Sequence, residues 1–340
     1  MIKNPTNILF MITLILGSLI TISSSTWLGC WIGLEINLLS FIPLMNKKSQ
    51  LSSESSLKYF LIQALASAVF LTSILIMSFY NNTTSQDISL NDNLFLVMSS
   101  SLLMKMGAAP FHFWFPGVME GLDWLNNLIL MTWQKLAPFL TFSYVLNNQM
   151  MMSLVVISCV IMGSVGGLNQ TSMRKIMAYS SINHLGWMTA AMLLNNIAWI
   201  IYFIIYSFLS FIMISIFMNY NISHNLQMYN LNQNKNMSLM LFCNLLSLGG
   251  LPPFLGFLPK WMVIQLLVNN GFIMLALLMV SFTLFALFFY ARIAYPSFMM
   301  SHSEMKWNML LNNKMSYMIF FLSTLNFLGL LFSPLISIFI

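Results

Sequence analysis

Residues 104–116 read MKMGAAPFHFWFP, a segment with a lysine, a histidine, a glycine and two prolines inside otherwise apolar sequence. A helix that meets Gly107 and then Pro110 loses its hydrogen-bond ladder, because proline has no N–H and its ring crowds the preceding turn. Residues 250–260, GLPPFLGFLPK, repeat the pattern, with the first glycine and the second proline each 143 residues after Gly107 and Pro110. Two broken apolar segments in corresponding places are typical of a transport pathway between structural repeats.

The composition indicates a membrane protein. Of the 340 residues, 59% are hydrophobic and 6% are charged, whereas a soluble domain has about 25% charged residues. Apolar runs of about 20 residues recur along the chain, and the alternating pattern of a membrane β-barrel does not. We therefore predict an all-α polytopic membrane protein.

The cysteines do not form a recognisable site. Cys30, Cys159 and Cys243 lie far apart in apolar runs, and the sequence has no Cys-x-x-Cys motif or glycine-rich nucleotide loop. We expect no metal, iron–sulfur cluster, flavin or nucleotide in this chain.

The lengths of the apolar runs predict about eleven transmembrane helices, of which the fourth and ninth contain the breaks. They lie near Asn7–Ile22, Thr26–Met45, Leu57–Tyr80, Leu94–Val118, Leu122–Leu146, Met150–Leu168, Lys175–Leu194, Ala198–Tyr220, Met237–Val268, Phe272–Tyr295 and Met315–Phe339.

The basic residues support this count. With eleven crossings, ten of the thirteen Lys and Arg residues fall on the N-terminal side of the membrane: Lys3, Lys47, Lys48, Lys58, Arg174, Lys175, Lys235, Arg292, Lys306 and Lys314. The loops of the opposite side receive none. This asymmetry is the positive-inside pattern, so we expect the N-terminus to face the compartment of synthesis.

The positions of the breaks suggest an internal repeat. Each break falls in the fourth helix of a five-helix unit, and a unit with an odd number of crossings must enter from the opposite face when it is repeated. We predict two inverted repeats, at about residues 7–146 and 150–295, followed by an extra helix at about residues 315–339. The alternative is that the two segments are similar by chance, since Gly and Pro are common in membrane helices.

Ionisable residues lie within predicted crossings, where burying a charge costs about 2.5–3.5 kcal/mol. Glu35 lies near the middle of the second crossing, and its expected partner is Lys105 of the fourth. A structural ion pair between helices is one interpretation. The other is a pair that takes up and releases a proton as it opens and closes, because desolvation disfavours an unpaired charge.

Two further lysines lie in crossings five and nine. Lys135 occupies the centre of its run, and Lys260 follows the second break, where freed backbone carbonyls and water can solvate an ammonium group. Both are candidate proton carriers. The alternative for each is snorkelling of the side chain to the interface.

Two histidines are possible proton relays. His112 follows Pro110 in the first break, and His184 lies in the seventh crossing beside Ser and Asn residues. A free imidazole titrates near neutrality. The alternatives are a neutral His112 that satisfies broken-helix backbone and a His184 that makes a polar contact between helices.

Five motifs occur in order along the chain: WIGLEIN at 31–37, KMGAAPFHFWFP at 105–116, WQKLAP at 133–138, RKIMAYSS at 174–181 and GGLPPFLGFLPKW at 249–261. Together they resemble the antiporter-like membrane subunits of respiratory complex I, the mitochondrial NADH–ubiquinone oxidoreductase, which are related to multi-subunit cation/proton antiporters. In that family a Glu–Lys pair, a central Lys and a distal Lys form a proton-transfer axis. Glu35, Lys105, Lys135 and Lys260 match those positions.

This resemblance implies a core subunit that translocates protons while other subunits transfer electrons from NADH to ubiquinone. It places FMN, iron–sulfur clusters and ubiquinone in those other subunits. The implied partners are membrane-arm subunits, including neighbouring antiporter-like ones, and lipids, with no nucleic acid. The implied location is the mitochondrial inner membrane, with the N-terminus on the matrix side. Bacterial members carry three further N-terminal helices, so partner subunits are expected to cover the first crossing. A stand-alone cation/proton exchanger and a structural membrane spacer are the alternatives.

Overall fold

A computed structural model describes residues 5–46, 49–83, 88–145, 149–229, 235–299 and 317–327. The regular structure of these residues is helical, without a β-strand among them. The chain divides into two compact units, Met1–Val155 and Val156–Ile340.

The helices of the first unit are α1 (Pro5–Ser23), α2 (Trp27–Met45), α3 (Gln50–Thr83), α4 (Ile88–Met106), α5 (Trp114–Gly121), α6 (Trp124–Met131) and α7 (Trp133–Val145). Helix α8 (Gln149–Gly167) begins in this unit and continues into the second. The second unit contains α9 (Met173–Leu194), α10 (Asn196–Tyr220), α11 (Asn225–Tyr229), α12 (Lys235–Gly249), α13 (Phe257–Asn269), α14 (Ile273–Met299) and α15 (Tyr317–Leu325).

In the described part of the chain, six helices are long and apolar enough to cross a membrane: α1, α2, α3, α8, α10 and α14. The predicted eleventh crossing lies largely outside the described residues, and α15 covers its beginning. The all-helical membrane class is therefore confirmed, whereas the count of eleven stays a prediction.

Both predicted breaks are present. Helix α4 ends at Met106 and α5 begins at Trp114, while α12 ends at Gly249 and α13 begins at Phe257. The first residue of each gap is a glycine, with φ of 71° at Gly107 and 83° at Gly250. This left-handed backbone ends a helix and is costly for a residue with a Cβ.

The predicted fifth crossing contains an interruption that its apolar pattern did not indicate. It consists of α6 and α7, separated at Thr132. The Thr132 hydroxyl donates to the Leu128 carbonyl oxygen at 2.7 Å. Such bonding to the preceding turn competes with the backbone ladder and bends helices. Pro138, inside α7, removes a further backbone donor from the same segment.

Close helix contacts depend on glycine. In the first unit, a Cβ at Gly33 would lie 2.8 Å from the Gly17 carbonyl oxygen, so α1 and α2 touch through their backbones. In the second unit, a Cβ at Gly163 would lie 2.5 Å from the Asn183 backbone nitrogen, between α8 and α9. Small residues permit this approach, because association in lipid depends on close packing rather than on the hydrophobic effect.

Candidate functional site

The first break exposes carbonyl groups at the end of α4, and side chains satisfy them. The indole Nε1 of Trp114 donates to the Met104 carbonyl oxygen at 3.1 Å. Gln63 of α3 donates from Nε2 to the Lys105 carbonyl oxygen at 3.2 Å. The last turn of α4, which carries Lys105, is therefore hydrogen-bonded to side chains of α3 and α5.

Lys105 is buried, with 7% of its surface exposed. Its Nζ lies 5.9 Å from the centre of the Phe70 ring and interacts electrostatically with Glu35. Among the described residues, Lys105 Nζ and Glu35 Oε1 are buried without a hydrogen-bond partner. The charges of Glu35 and Lys105 thus interact, but the two side chains do not share a direct hydrogen bond.

Lys135 is more deeply buried, with 1% of its surface exposed. Its Nζ lies 4.9 Å from the centre of the Phe115 ring, a cation–π distance. Phe115 belongs to α5, directly after the first break. The side chain therefore turns into the protein, and snorkelling does not describe it.

A water-sized cavity lies between the two lysines of the first unit. Its volume is about 20 Å³, and its lining includes Lys105, Lys135, Asn37, Tyr59, Gln63 and Gln134. A single ordered water needs about 10–15 Å³ and two or more polar partners. Glu35 is not part of this lining.

In the second unit, Lys260 lies at the other break. It is 5% exposed, and its Nζ donates to the carbonyl oxygens of Leu248 at 3.1 Å and Gly249 at 2.8 Å. These are the last two residues of α12, so the predicted contact between freed carbonyls and the ammonium group is present. Nζ also lies 5.9 Å from the centre of the Trp187 ring. Lys260 therefore does not snorkel.

His184 is buried on α9, one turn before Trp187. Its Nδ1 lies 2.9 Å from the Tyr202 hydroxyl oxygen, and its ring centre lies 5.0 Å from that of Tyr206. This arrangement makes a polar contact between α9 and α10. It also allows proton exchange between the His184 imidazole ring and the buried Tyr202 hydroxyl group.

His112 lies in the first break and is buried, with 3% of its surface exposed. Its ring centre is 4.4 Å from that of the exposed Phe113. The cavity lining does not include it. The geometry thus favours packing within the break over a role beside the lysines.

Four of the six predicted residues fall into two local groups. Lys105 and Lys135 border one cavity in the first unit, and in the second unit Lys260 lies beside the ring of Trp187, which follows His184 by one turn of α9. Sequence reasoning missed the polar residues around the lysines: Asn37, Tyr59, Gln63 and Gln134. The available signal was an amide or hydroxyl group inside an otherwise apolar crossing, where an unsatisfied polar group is costly.

Residues 24–286 match the model of a protein family described as NADH:quinone oxidoreductase/Mrp antiporter, transmembrane. Among curated proteins, NADH-ubiquinone oxidoreductase chain 2 of Anopheles gambiae is 54% identical over 320 residues, covering 92% of this chain and 93% of the relative. The protein of the same name from Locusta migratoria is 43% identical over 339 residues, with 97% of each chain covered.

Two solved structures share the fold. A chain of respiratory complex I from Thermus thermophilus with bound Aureothin superposes with a TM-score of 0.84 at 22% identity, covering 98% of this chain and 80% of that one. A chain of the Mrp complex from Dietzia sp. gives a TM-score of 0.78 at 14% identity, covering 96% and 75%. At such identities the likeness establishes the fold alone.

Proposed function

This chain belongs to the NADH:quinone oxidoreductase/Mrp antiporter transmembrane family, and we propose that it is a core membrane subunit of respiratory complex I that translocates protons. Its relatives named NADH-ubiquinone oxidoreductase chain 2 match nearly its full length at up to 54% identity. Electron transfer from NADH to ubiquinone takes place in other subunits, and this chain uses the energy that the transfer releases.

The observation that carries the proposal is the burial of three lysines, Lys105, Lys135 and Lys260, at exposed fractions of 7%, 1% and 5%. A buried ammonium group in a membrane helix is costly and marks an ion or proton pathway by default. A lysine suits proton transfer because it can release its proton when it is desolvated. A fixed metal-cation site would instead need carboxylate and carbonyl oxygens.

In the proposed mechanism, rearrangement in the redox subunits changes the distance between Glu35 and Lys105. A closer Glu35 stabilises the charge on Lys105, and a more distant one leaves Lys105 desolvated and ready to give up its proton. The proton passes towards Lys135, with Lys260 as the distal carrier. Moving one charge against the field costs about 2.3 kcal/mol per 100 mV, and a tenfold change in proton affinity supplies about 1.4 kcal/mol.

The finer architecture belongs to the same proposal. Eleven crossings are arranged as two inverted five-helix repeats and one extra helix, in the mitochondrial inner membrane with the N-terminus in the matrix. The support is the matched pair of breaks, α4/α5 and α12/α13, each of which opens on a glycine with positive φ. Redox groups and bound ubiquinone lie in other subunits, and the neighbours are membrane-arm subunits and lipids.

The test is replacement of the ion pair in the assembled complex. We expect Lys105→Met or Glu35→Gln to lower NADH–quinone turnover or the number of protons pumped per NADH, while assembly persists. Lys58→Met is the matched control, because Lys58 pairs with Glu54 at 2.6 Å at an exposed position, where ion pairs contribute little. Normal turnover together with normal proton stoichiometry in both test variants would favour a structural spacer. Cation/proton exchange by the isolated chain in vesicles would favour a stand-alone antiporter.

A further inference from the structure

A polar bridge crosses the first unit beside Lys135. Gln134, in the first turn of α7, donates from Nε2 to Asn37 Oδ1 of α2 at 3.1 Å. Its Oε1 accepts from the Tyr59 hydroxyl of α3 at 3.4 Å. Both ends of the amide are therefore used, and the bridge ties α7 to two other helices at the residue directly before Lys135.

The bridge joins two buried side chains through the half-buried amide of Gln134. Asn37 and Tyr59 are each 3% exposed. A buried polar group left without a partner costs more than the hydrogen bond itself contributes. The buried Asn37 and Tyr59 side chains therefore favour the Gln134 position in which both have a partner, and this restricts the start of α7.

All three members of the bridge also line the cavity of about 20 Å³ that Lys105 and Lys135 border. This volume accommodates one water. Lys105 Nζ is buried without a hydrogen-bond partner among the described residues, so a water in the cavity would supply the missing acceptor.

We propose that Gln134 is a positioning residue for proton transfer between Lys105 and Lys135, because the bridge holds one wall of the single-water cavity that both lysines border. The inference rests on the proposed function and adds to it the group that sets the geometry of one transfer. In that transfer, an N–H bond of the Lys105 ammonium breaks and its proton goes to the water. A different O–H bond of the same water breaks, and its proton forms a new N–H bond on neutral Lys135. Water is regenerated, and no electron is exchanged.

The inference predicts a specific kinetic effect of Gln134→Leu, which keeps the approximate size of the side chain and removes both hydrogen bonds. Transfer through a water is sensitive to small displacements of its donors and acceptors. We expect turnover per assembled complex to fall about tenfold. This factor corresponds to an activation barrier raised by about 1.4 kcal/mol, which is the size of one hydrogen bond. Because proton transfer then limits the rate, the ratio of turnover in H₂O to that in D₂O should rise above the wild-type ratio.

Two companion variants make the test specific. Tyr59→Phe removes one oxygen atom and one of the two contacts, so we expect about a threefold fall and a smaller rise of the isotope ratio. Asn127→Ala is the structural control. Asn127 is a buried amide of the same unit that donates to the Met119 carbonyl oxygen at 3.1 Å, and it does not line the cavity. Its loss should reduce the amount of assembled complex and leave turnover and isotope ratio per complex unchanged.

An unchanged isotope ratio in Gln134→Leu overturns the inference, as does an equal change in Asn127→Ala. If Gln134→Leu does not assemble, Tyr59→Phe decides, and an unchanged ratio in it overturns the inference. The proposed function has a separate test in the same assay. Lowered turnover or pumping in Lys105→Met with normal Gln134→Leu removes only the positioning role, whereas normal turnover and pumping in both Lys105→Met and Glu35→Gln remove the proposed function itself.

Discussion

Gly250→Ala should displace the Lys260 ammonium group and slow proton transfer. Gly250 has φ of 83°, and a Cβ built there would lie 2.8 Å from Lys260 Cδ and 2.9 Å from its Nζ. Carbon atoms do not approach this closely, so the lysine side chain must move away from the end of α12. It then leaves the carbonyl oxygens of Leu248 and Gly249, to which Nζ donates at 3.1 and 2.8 Å.

The magnitude follows from two separate costs. A residue with a Cβ in left-handed backbone costs about 1–2 kcal/mol, and this cost affects stability and assembly. Loss of each hydrogen bond between the Lys260 ammonium group and a carbonyl oxygen costs about 1.5–3 kcal/mol, and this cost falls on the group that is proposed to carry the proton. Only the second cost acts on the proposed carrier.

Gly271→Ala separates the two costs. Gly271 has φ of 81°, nearly that of Gly250, but a Cβ there meets nothing within 4 Å. The assay is NADH–quinone turnover and proton pumping per assembled complex, with the assembled amount measured on native gels. We expect both variants to assemble less well and Gly250→Ala alone to lose about tenfold in turnover per complex. Equal turnover per complex in the two variants would refute the reasoning.

Three further outcomes are expected. Lys135→Arg should lower turnover per complex more than tenfold, because arginine keeps its proton; wild-type turnover would exclude Lys135 as a carrier. Gly33→Ala should reduce the assembled amount, since a Cβ there lies 2.5 Å from the nearest side-chain atom and overpacking costs about 1–3 kcal/mol. Gly117→Ala, with nothing within 4 Å, is its control, and equal assembly on native gels would contradict the packing argument. Tyr202→Phe removes the hydroxyl 2.9 Å from His184 Nδ1 and should lower turnover severalfold with assembly intact; unchanged turnover would leave His184 a packing contact.

The sequence by itself predicted the membrane class, most helix bounds and both breaks, because these depend on local chemistry. An apolar run of sufficient length must be helical in lipid, and a glycine followed closely by proline favours a helix end, because both act on the local backbone. The break at Thr132 escaped prediction, because a threonine hydroxyl bonds to the preceding turn in some helices and points elsewhere in others. The lysines were identified for the same local reason, since a charge in an apolar run is conspicuous wherever it packs.

Only the tertiary structure decided what surrounds each lysine. The bonds of Gln134 to Asn37 and Tyr59 join residues 97 and 75 positions apart, and no periodicity relates such distant positions. Glu35 and Lys105, paired in the sequence argument, do not share a direct hydrogen bond, since Lys105 Nζ has no partner among the described residues. Lys260, by contrast, lies against carbonyls of its own break, as the local chemistry indicated. Side-chain contacts across helices depend on rotation and depth of packing, which the apolar pattern of one helix does not specify.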